Sequence, residues 1–193
     1  MKRILKKNIN VKPYWDNLLK SGEWGKERGQ LYLLLAKYLP RKQKATVLDI
    51  GCAIGHGTVK LAKKLPNAEF EACDFSARGI KNAKRLYGKE IKFFVHDLNK
   101  DKLAKKYDYI LFVETLEHLT NPIKVVRRYM EYCSKKMLVT VPYKERGWKE
   151  HLYSFDKNSF KKIKEFKKCF VLRKPLADTP NSKIILYLFE KSR

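Results

Sequence analysis

Apolar runs of the buried-strand kind recur along the chain: TVLDI, EFEAC, IKFFV, YDYILFV and KMLVTV. Helix-like segments separate them: GTVKLAKKL, SARGIKNAKRLY and NPIKVVRRYMEYC. Strands alternating with helices argue an α/β fold, a parallel sheet covered on both faces. Ser76 can cap the second of these helices, and Pro122 suits a first helical turn, where its missing N–H costs little. The pattern then changes. DKNSFKKIKEF reads as an amphipathic helix with Phe160, Ile163 and Phe166 inward and lysines outward. CFVLRKPL and SKIILYLFE are strand-like runs around the turn signal ADTPN, which predicts an antiparallel hairpin at one sheet edge. Residues 1–40 read as helical, with Trp15, Trp24 and the run LYLLLAKYL. The pattern contains no repeat and no linker, so 1–193 reads as a single domain: an N-terminal helical lid over 1–40 and a core over 45–193.

Charge changes this picture more than composition does. A hydrophobic fraction of 44% is ordinary, but 44 basic against 20 acidic residues give a net charge of +24. Such an excess favours polyanions: nucleic acid, an anionic surface or an acidic substrate. The lysines run through the whole chain, so a solvated basic surface accounts for them as well. Cys52, Cys73, Cys133 and Cys169 form no CxxC pair, and buried thiols in a reducing compartment are the plain reading. No apolar run approaches membrane-spanning length, and MKRILKKNIN lacks the apolar stretch of a signal peptide. The expected location is cytoplasmic.

The most informative stretch is TVLDIGCAIGHGTVKLAKKL. A strand ends at Ile50, and Gly51, Gly55 and Gly57 follow before a helix. The spacing GxxxGxG differs from the GxGxxG dinucleotide fingerprint and from the P-loop, which argues against a nicotinamide oxidoreductase and against a nucleoside triphosphate. The next strand ends on Asp74, roughly 20 positions on, where an acid can accept both ribose hydroxyls of an adenosine ligand. A helix-start acid is the structural alternative. Asp97 follows the third strand, and all three loops would lie at the carboxyl ends of parallel strands, where open α/β sheets bind ligands.

VLDIGCAIGHG, CDFS, VHDL and YDYILFVETLEHL, in that order and spacing, resemble the class I S-adenosylmethionine-dependent methyltransferases. The match runs from about residue 45 to about 160. The resemblance implies a Rossmann-like, seven-stranded, mostly parallel sheet with helices on both faces, its last two strands forming a C-terminal antiparallel edge hairpin. It implies S-adenosylmethionine as cofactor. Asp49, Gly51, Gly55 and Gly57 would shape the methionine pocket, Asp74 would hold the ribose, and Asp97 and Leu98 would meet the adenine. Cys52, Ala53, Phe75, His96 and Val113 would complete the cofactor contacts. Two departures stand out. Ala53 replaces a further glycine of many relatives, and EYCSKKMLV lacks the usual Pro-Gly-Gly turn.

ETLEHL places Glu114, Glu117 and His118 after the fourth core strand, and His151 follows in the loop expected to cover the acceptor. Glu117 and His118 lie at i+3 and i+4 from Glu114, one face if the chain turns helically. His118 or His151 would take a proton from the acceptor, with Glu114 as orienter. Two glutamates and two histidines could equally hold a divalent cation such as Mg or Mn. The small-RNA 3′-terminal 2′-O-methyltransferases carry a similar Glu-x-x-Glu-His motif and a later metal-binding histidine. The ubiquinone-pathway O-methyltransferases carry a similar EHL segment. Many small-molecule methyltransferases have a Glu-His there without metal, and a purely structural role is the third reading. Between residues 144 and 174 basic residues outnumber acidic ones eleven to four, interleaved with Tyr143, Trp148, Tyr153 and Phe155 around the loop expected to cover the acceptor. That suits an anionic small molecule or glycan, or an RNA end. The expected activity is methyl transfer to a hydroxyl or amine of a small-molecule or glycan-type acceptor. The alternatives are metal-assisted RNA 2′-O-methylation and a methyltransferase-like binding module without activity.

Overall fold

The computed structural model describes residues 1–5, 7–145, 147–173 and 182–191. In chain order the elements are β1 (Lys2–Arg3), α1 (Lys12–Leu18), α2 (Gly29–Leu33), β2 (Ala45–Ile50), α3 (His56–Ala62), β3 (Ala68–Asp74), α4 (Ala77–Tyr87), β4 (Lys92–Val95), β5 (Tyr107–Val113), α5 (Pro122–Met130), β6 (Cys133–Pro142), β7 (Tyr153–Ser154), β8 (Phe166–Arg173) and β9 (Lys183–Glu190). Short 3-10 turns lie at Ala36–Tyr38 and Leu116–His118.

The main sheet has seven strands in the order β4-β3-β2-β5-β6-β9-β8. The first five are parallel, and β9 runs antiparallel to both β6 and β8. This is the predicted Rossmann-like sheet with its C-terminal hairpin at one edge. The turn signal ADTPN and the end of CFVLRKPL lie outside the described residues. Alternate residues of each central strand feed opposite faces, and both faces are covered. Tyr109, Leu111 and Val113 of β5 join one buried layer with Val47 and Leu35; Ile110 and Phe112 join the other with Leu48 and Tyr129. Burial on both sides is why these strands read as nearly unbroken apolar runs.

Register places the functional ends of the strands level. Ile50 pairs with Cys73 and with Phe112, and Cys73 with Phe94. The chain therefore leaves β2, β3, β4 and β5 along one rim. The helices start as their caps dictate: Ser76 Oγ accepts the Gly79 N–H at 3.0 Å, and Asn121 Oδ1 accepts the Lys124 N–H at 3.1 Å ahead of Pro122. Among the described residues, no helix is long and apolar enough to cross a membrane.

Two expectations are corrected. Residues 157–165 form turns and a bend, not a helix, and Phe166 already begins β8. Asp156 Oδ1 accepts from Asn158 N (2.8 Å) and Ser159 Oγ (3.1 Å), and Ser159 Oγ accepts from Asp156 N (2.9 Å). These local bonds compete with the helical ladder. The backbone then bonds three residues back, Ile163 N to Phe160 O and Phe166 N to Ile163 O, each at 3.0 Å. A spacing of three keeps Phe160 and Ile163 buried without a helix. The N-terminal region is helical only in short pieces, and β1 pairs antiparallel with β7 in a second, two-stranded sheet. α5 also stops at Met130, and Cys133 already belongs to β6.

Candidate active site

One cavity opens along the rim of strand ends. Its floor is the β2–α3 loop from Gly51 to Ile54, and its sides are Asp74 and Phe75, His96 to Asn99, and Val113 to Thr115. His118 closes the far end, and Trp15, Trp24, Arg28 and Tyr32 of the N-terminal segment form the roof.

The floor requires its glycines. Gly51 has φ +83°, and a Cβ there would lie 2.5 Å from the Thr115 side chain. Thr115 in turn bonds the carbonyls of Ile50 and Val113 at 3.3 and 3.2 Å, joining the ends of β2 and β5. Gly57 allows Tyr32 to pack: a Cβ would lie 2.1 Å from its ring. Ala53 takes the left-handed conformation (φ 52°), which favours glycine.

Asp74 is 8% exposed and holds the loop in place. Its Oδ2 accepts the Ala53 N–H at 3.0 Å and its Oδ1 the Ser76 N–H at 2.9 Å. Burial pushes its pKa up to about 6 against those N–H donors, and the Asp16 carboxylate adds to the rise. Of the other residues expected to touch the cofactor, Gly51, Cys52, Ala53, Gly57, Phe75, His96, Asp97, Leu98 and Val113 all reach the cavity. Asp49 and Gly55 lie behind its wall. Asp49 is fully buried, accepts from Thr58 Oγ1, and has its pKa pushed up to about 7 by burial, which the Thr58 and Tyr32 hydrogen bonds oppose. Gly55 packs under Phe93, where a Cβ would stand 2.7 Å from the ring. Both shape the loop from below.

The far end of the cavity adjoins the cluster after β5. Glu114 lines the cavity and takes a left-handed φ of 51°, an uncommon conformation for glutamate. Glu117, His118 and His151 come together, with one ligand atom of each within 4.8 Å of the others. Glu114 stands outside that group, which corrects the four-residue cluster expected from the sequence. His118 Nδ1 lies 3.1 Å from the Glu150 carbonyl. A carbonyl only accepts, so Nδ1 carries the proton and Nε2 keeps its lone pair, 4.0 Å from Glu117 Oε1. Burial, with the nearby His151 and Arg28 charges adding, brings the His118 pKa down to about 3, although the Glu150 carbonyl favours the charged ring. His151 packs against His118, ring centroids 5.1 Å apart, with Nδ1 2.8 Å from Glu145 Oε2, and is not among the residues that line the cavity.

The N-terminal segment is fastened on both sides of the cavity. Asp16 Oδ1 accepts from Ser76 Oγ and from Arg78 N, and Asn82 Nδ2 donates to the Leu19 carbonyl at 2.8 Å. On the other side Asn10 Nδ2 donates to the Glu150 carbonyl at 2.8 Å, and the Tyr14 hydroxyl bonds the Glu150 carboxylate. Trp15 meets His118 edge-on at 5.0 Å. Glu145, Tyr32 and Arg28 were not legible as site residues. They lie far along the chain from the glycine loop and carry no motif, although KERGWKEH does hold Glu145 near His151.

The methyltransferase-domain family matches residues 24–170. A malonyl-[acyl-carrier protein] O-methyltransferase of Bacillus cytotoxicus is 30% identical over 129 residues, which are 64% of this chain and 45% of that protein. A tRNA N(3)-methylcytidine methyltransferase of Schizosaccharomyces pombe is 34% identical over 101 residues, 49% of this chain and 41% of that one. The chain spans less than half the length of these curated relatives. Among solved structures, magnesium protoporphyrin IX methyltransferase from Synechocystis PCC 6803 with bound SAH superimposes at a TM-score of 0.69 and 14% identity, covering 97% of this chain and 90% of that one. This last likeness is one of fold.

Proposed function

The chain belongs to the methyltransferase-domain family, and from that premise we propose that it transfers a methyl group from S-adenosylmethionine to a hydroxyl or amine of a small-molecule or glycan-type acceptor. The observation that carries this reading is the single roofed cavity with a glycine floor at one end and His118 at the other. The residues suit the cofactor: no Cβ fills the floor at Gly51, and Asp74 presents a nearly buried carboxylate beside it. Asp74 keeps lone pairs for the ribose hydroxyls beyond its two backbone bonds. Asp97 and Leu98 lie where the adenine would end. When bound, the cofactor supplies a methyl group already activated on a sulfonium.

The protein's task is alignment and, for a hydroxyl, removal of a proton. His118, neutral at physiological pH with Nε2 as acceptor, orients the acceptor but is too weakly basic to take its proton. His151 has the Glu145 carboxylate 2.8 Å from Nδ1, which orients the ring, so it is assigned the base. The roof over the cavity supports a compact acceptor, and the basic 144–174 segment an anionic one. The relative from Bacillus cytotoxicus, named for a malonyl-carrier substrate, is in keeping with a carboxylate-bearing acceptor.

A second reading, metal-assisted 2′-O-methylation of an RNA end, is favoured by one observation. Nδ1 of both histidines faces an oxygen of the fold, which leaves both Nε2 atoms free to act as ligands beside Glu117. Glu117, His118 and His151 would then hold a divalent cation, which lowers the pKa of a bound hydroxyl. Transfer of labelled methyl from S-adenosylmethionine to small acceptors, glycans and 3′-terminal RNA, with chelator or with Mn²⁺, tests both. Turnover of a small acceptor in chelator supports the first reading. Turnover of RNA alone, and only with metal, replaces it with the second. SAH binding with no transfer to any acceptor leaves a binding module.

A further inference from the structure

Arg28 is the only Lys or Arg among the described residues that line the cavity. It immediately precedes α2, and that helix begins against the end of the glycine loop. A Cβ on Gly29 would lie 3.9 Å from the Gly57 Cα and 3.8 Å from the His56 carbonyl oxygen. The guanidinium carbon lies 4.9 Å from the centre of the Trp24 ring. Its nearest carboxylate, Glu27, is 3.7 Å from Nε, too long for a hydrogen bond. Among the described residues, none accepts a hydrogen bond from this guanidinium. An arginine stacked on an indole presents its edge, and the N–H fork on that edge matches a carboxylate in bidentate fashion.

We propose that Arg28 binds the carboxylate at the methionine end of S-adenosylmethionine, so that the N-terminal lid closes onto the cofactor through an ion pair. The inference rests on the cofactor reading given above. With the ribose at Asp74 and the sulfonium towards His118, the amino-acid end of the cofactor would come over Gly51 to Gly57, near the start of α2. Among the described residues, the other charged side chains in the cavity wall, Asp74, Asp97 and Glu114, are acids. Arg28 is the complementary group on that wall. The lid thereby acquires a specific function. It is fastened to α4 by Asp16 and Asn82 and to the 143–155 segment by Asn10 and Tyr14, and Arg28 supplies the contact between those two anchor points.

The test uses two ligands that differ in the group concerned. SAH carries the carboxylate; 5′-methylthioadenosine keeps the adenosine and the thioether and lacks it. Both are titrated by calorimetry into the full chain and into Arg28→Gln and Arg28→Lys. Arg28→Gln should weaken SAH by about 10- to 100-fold, the effect of losing charge-assisted hydrogen bonds, and leave 5′-methylthioadenosine within about twofold. Arg28→Lys should recover part of the loss, because it restores the charge without the fork. Equal SAH affinity in Arg28→Gln and the unaltered chain overturns the proposal. So does equal weakening of both ligands, which would mean that Arg28 only packs the lid. An unaltered chain that binds neither ligand overturns the cofactor reading and this inference with it.

Discussion

Asp74 Oδ2 accepts the Ala53 N–H at 3.0 Å, so the acid that ends β3 also holds the loop that follows β2. One carboxylate fixes the shape of the cavity floor and, in the proposed cofactor mode, would present its remaining lone pairs to the ribose. Its pKa, pushed up to about 6, sets a pH limit on that second role. Above about pH 6 the group is ionised and both oxygens accept. Below it a proton competes with the ribose. SAH affinity should therefore be flat from pH 7 to 8 and fall below pH 6 at up to about tenfold per unit. Asp74→Asn should bind more weakly at pH 7 and lose this pH dependence, which calorimetry at several pH values reads directly. A fall that persists unchanged in Asp74→Asn would assign it to another group.

Asp49 carries a different kind of prediction, on stability. Its folded pKa of about 7 lies above the ordinary carboxylate value, because burial outweighs the Thr58 and Tyr32 hydrogen bonds and the Asp74 charge adds to the rise. The folded state thus holds a proton that the unfolded state has released between about pH 4 and 7. In that window the contribution of this group to stability declines as pH rises. Asp49→Asn keeps an oxygen for Thr58 and removes the buried charge. It should stabilise the protein at pH 8, on the order of 2 kcal/mol, with the gain vanishing towards pH 4. Urea unfolding at both pH values measures it. A gain independent of pH would refute the assigned protonation.

Much of this fold was legible because the sheet is buried on both faces. Unbroken apolar runs such as YDYILFV and KMLVTV have one reading when turn residues bound them and helices alternate with them. The glycine loop was legible for a similar reason: a sharp backbone turn demands glycine at particular spacing. The 156–166 segment misled because apolar residues three apart suit a helix and a series of turns alike, and Asp156 and Ser159 decide between them by local hydrogen bonds. Arg28 and Glu145 could not be read as site residues. Tertiary contacts of the lid and the 143–155 segment bring them to the cavity and to His151, and no local pattern records such contacts. The clustering of Glu117, His118 and His151 was expected from their residue types, but that Glu114 is not part of it is set by the fold and has no signal in the residue pattern.

The glycine loop itself makes a pair of predictions of opposite sign. Ala53 has φ 52°, a conformation that costs an L-residue roughly 1–2 kcal/mol and glycine almost nothing. Ala53→Gly should leave stability unchanged or raise it by up to about 1 kcal/mol, once the greater freedom of glycine in the unfolded chain is deducted. Gly57→Ala should do the reverse. Its Cβ would lie 2.1 Å from the ring of Tyr32, which is 6% exposed and bonded to Asp49. Relief requires the ring, and α2 with it, to move, at about 1–3 kcal/mol. Thermal unfolding compares the two. Equal effects would mean that the loop relaxes freely and that the lid does not depend on Gly57.

The two histidines at the acceptor end differ in what lies behind them, and this separates their roles. His118 Nδ1 faces a backbone carbonyl, and its pKa is down at about 3; His151 Nδ1 faces a carboxylate at 2.8 Å. A carboxylate stabilises the imidazolium that forms when a proton is taken, whereas a buried ring beside another histidine resists becoming one. His151→Ala should lower turnover of a hydroxyl acceptor by about 10²- to 10⁴-fold and leave SAH affinity within about twofold. Glu145→Gln should lower it less, since Nδ1 loses the carboxylate that faces it. His118→Gln keeps a hydrogen-bond acceptor and should lower turnover by a smaller factor than His151→Ala. If His118→Gln lowered it as far as His151→Ala and Glu145→Gln had no effect, the base would be His118 and the roles would be exchanged. If every variant also lost bound Mn²⁺ and regained turnover at high Mn²⁺, the cluster would be a metal site and neither histidine a base.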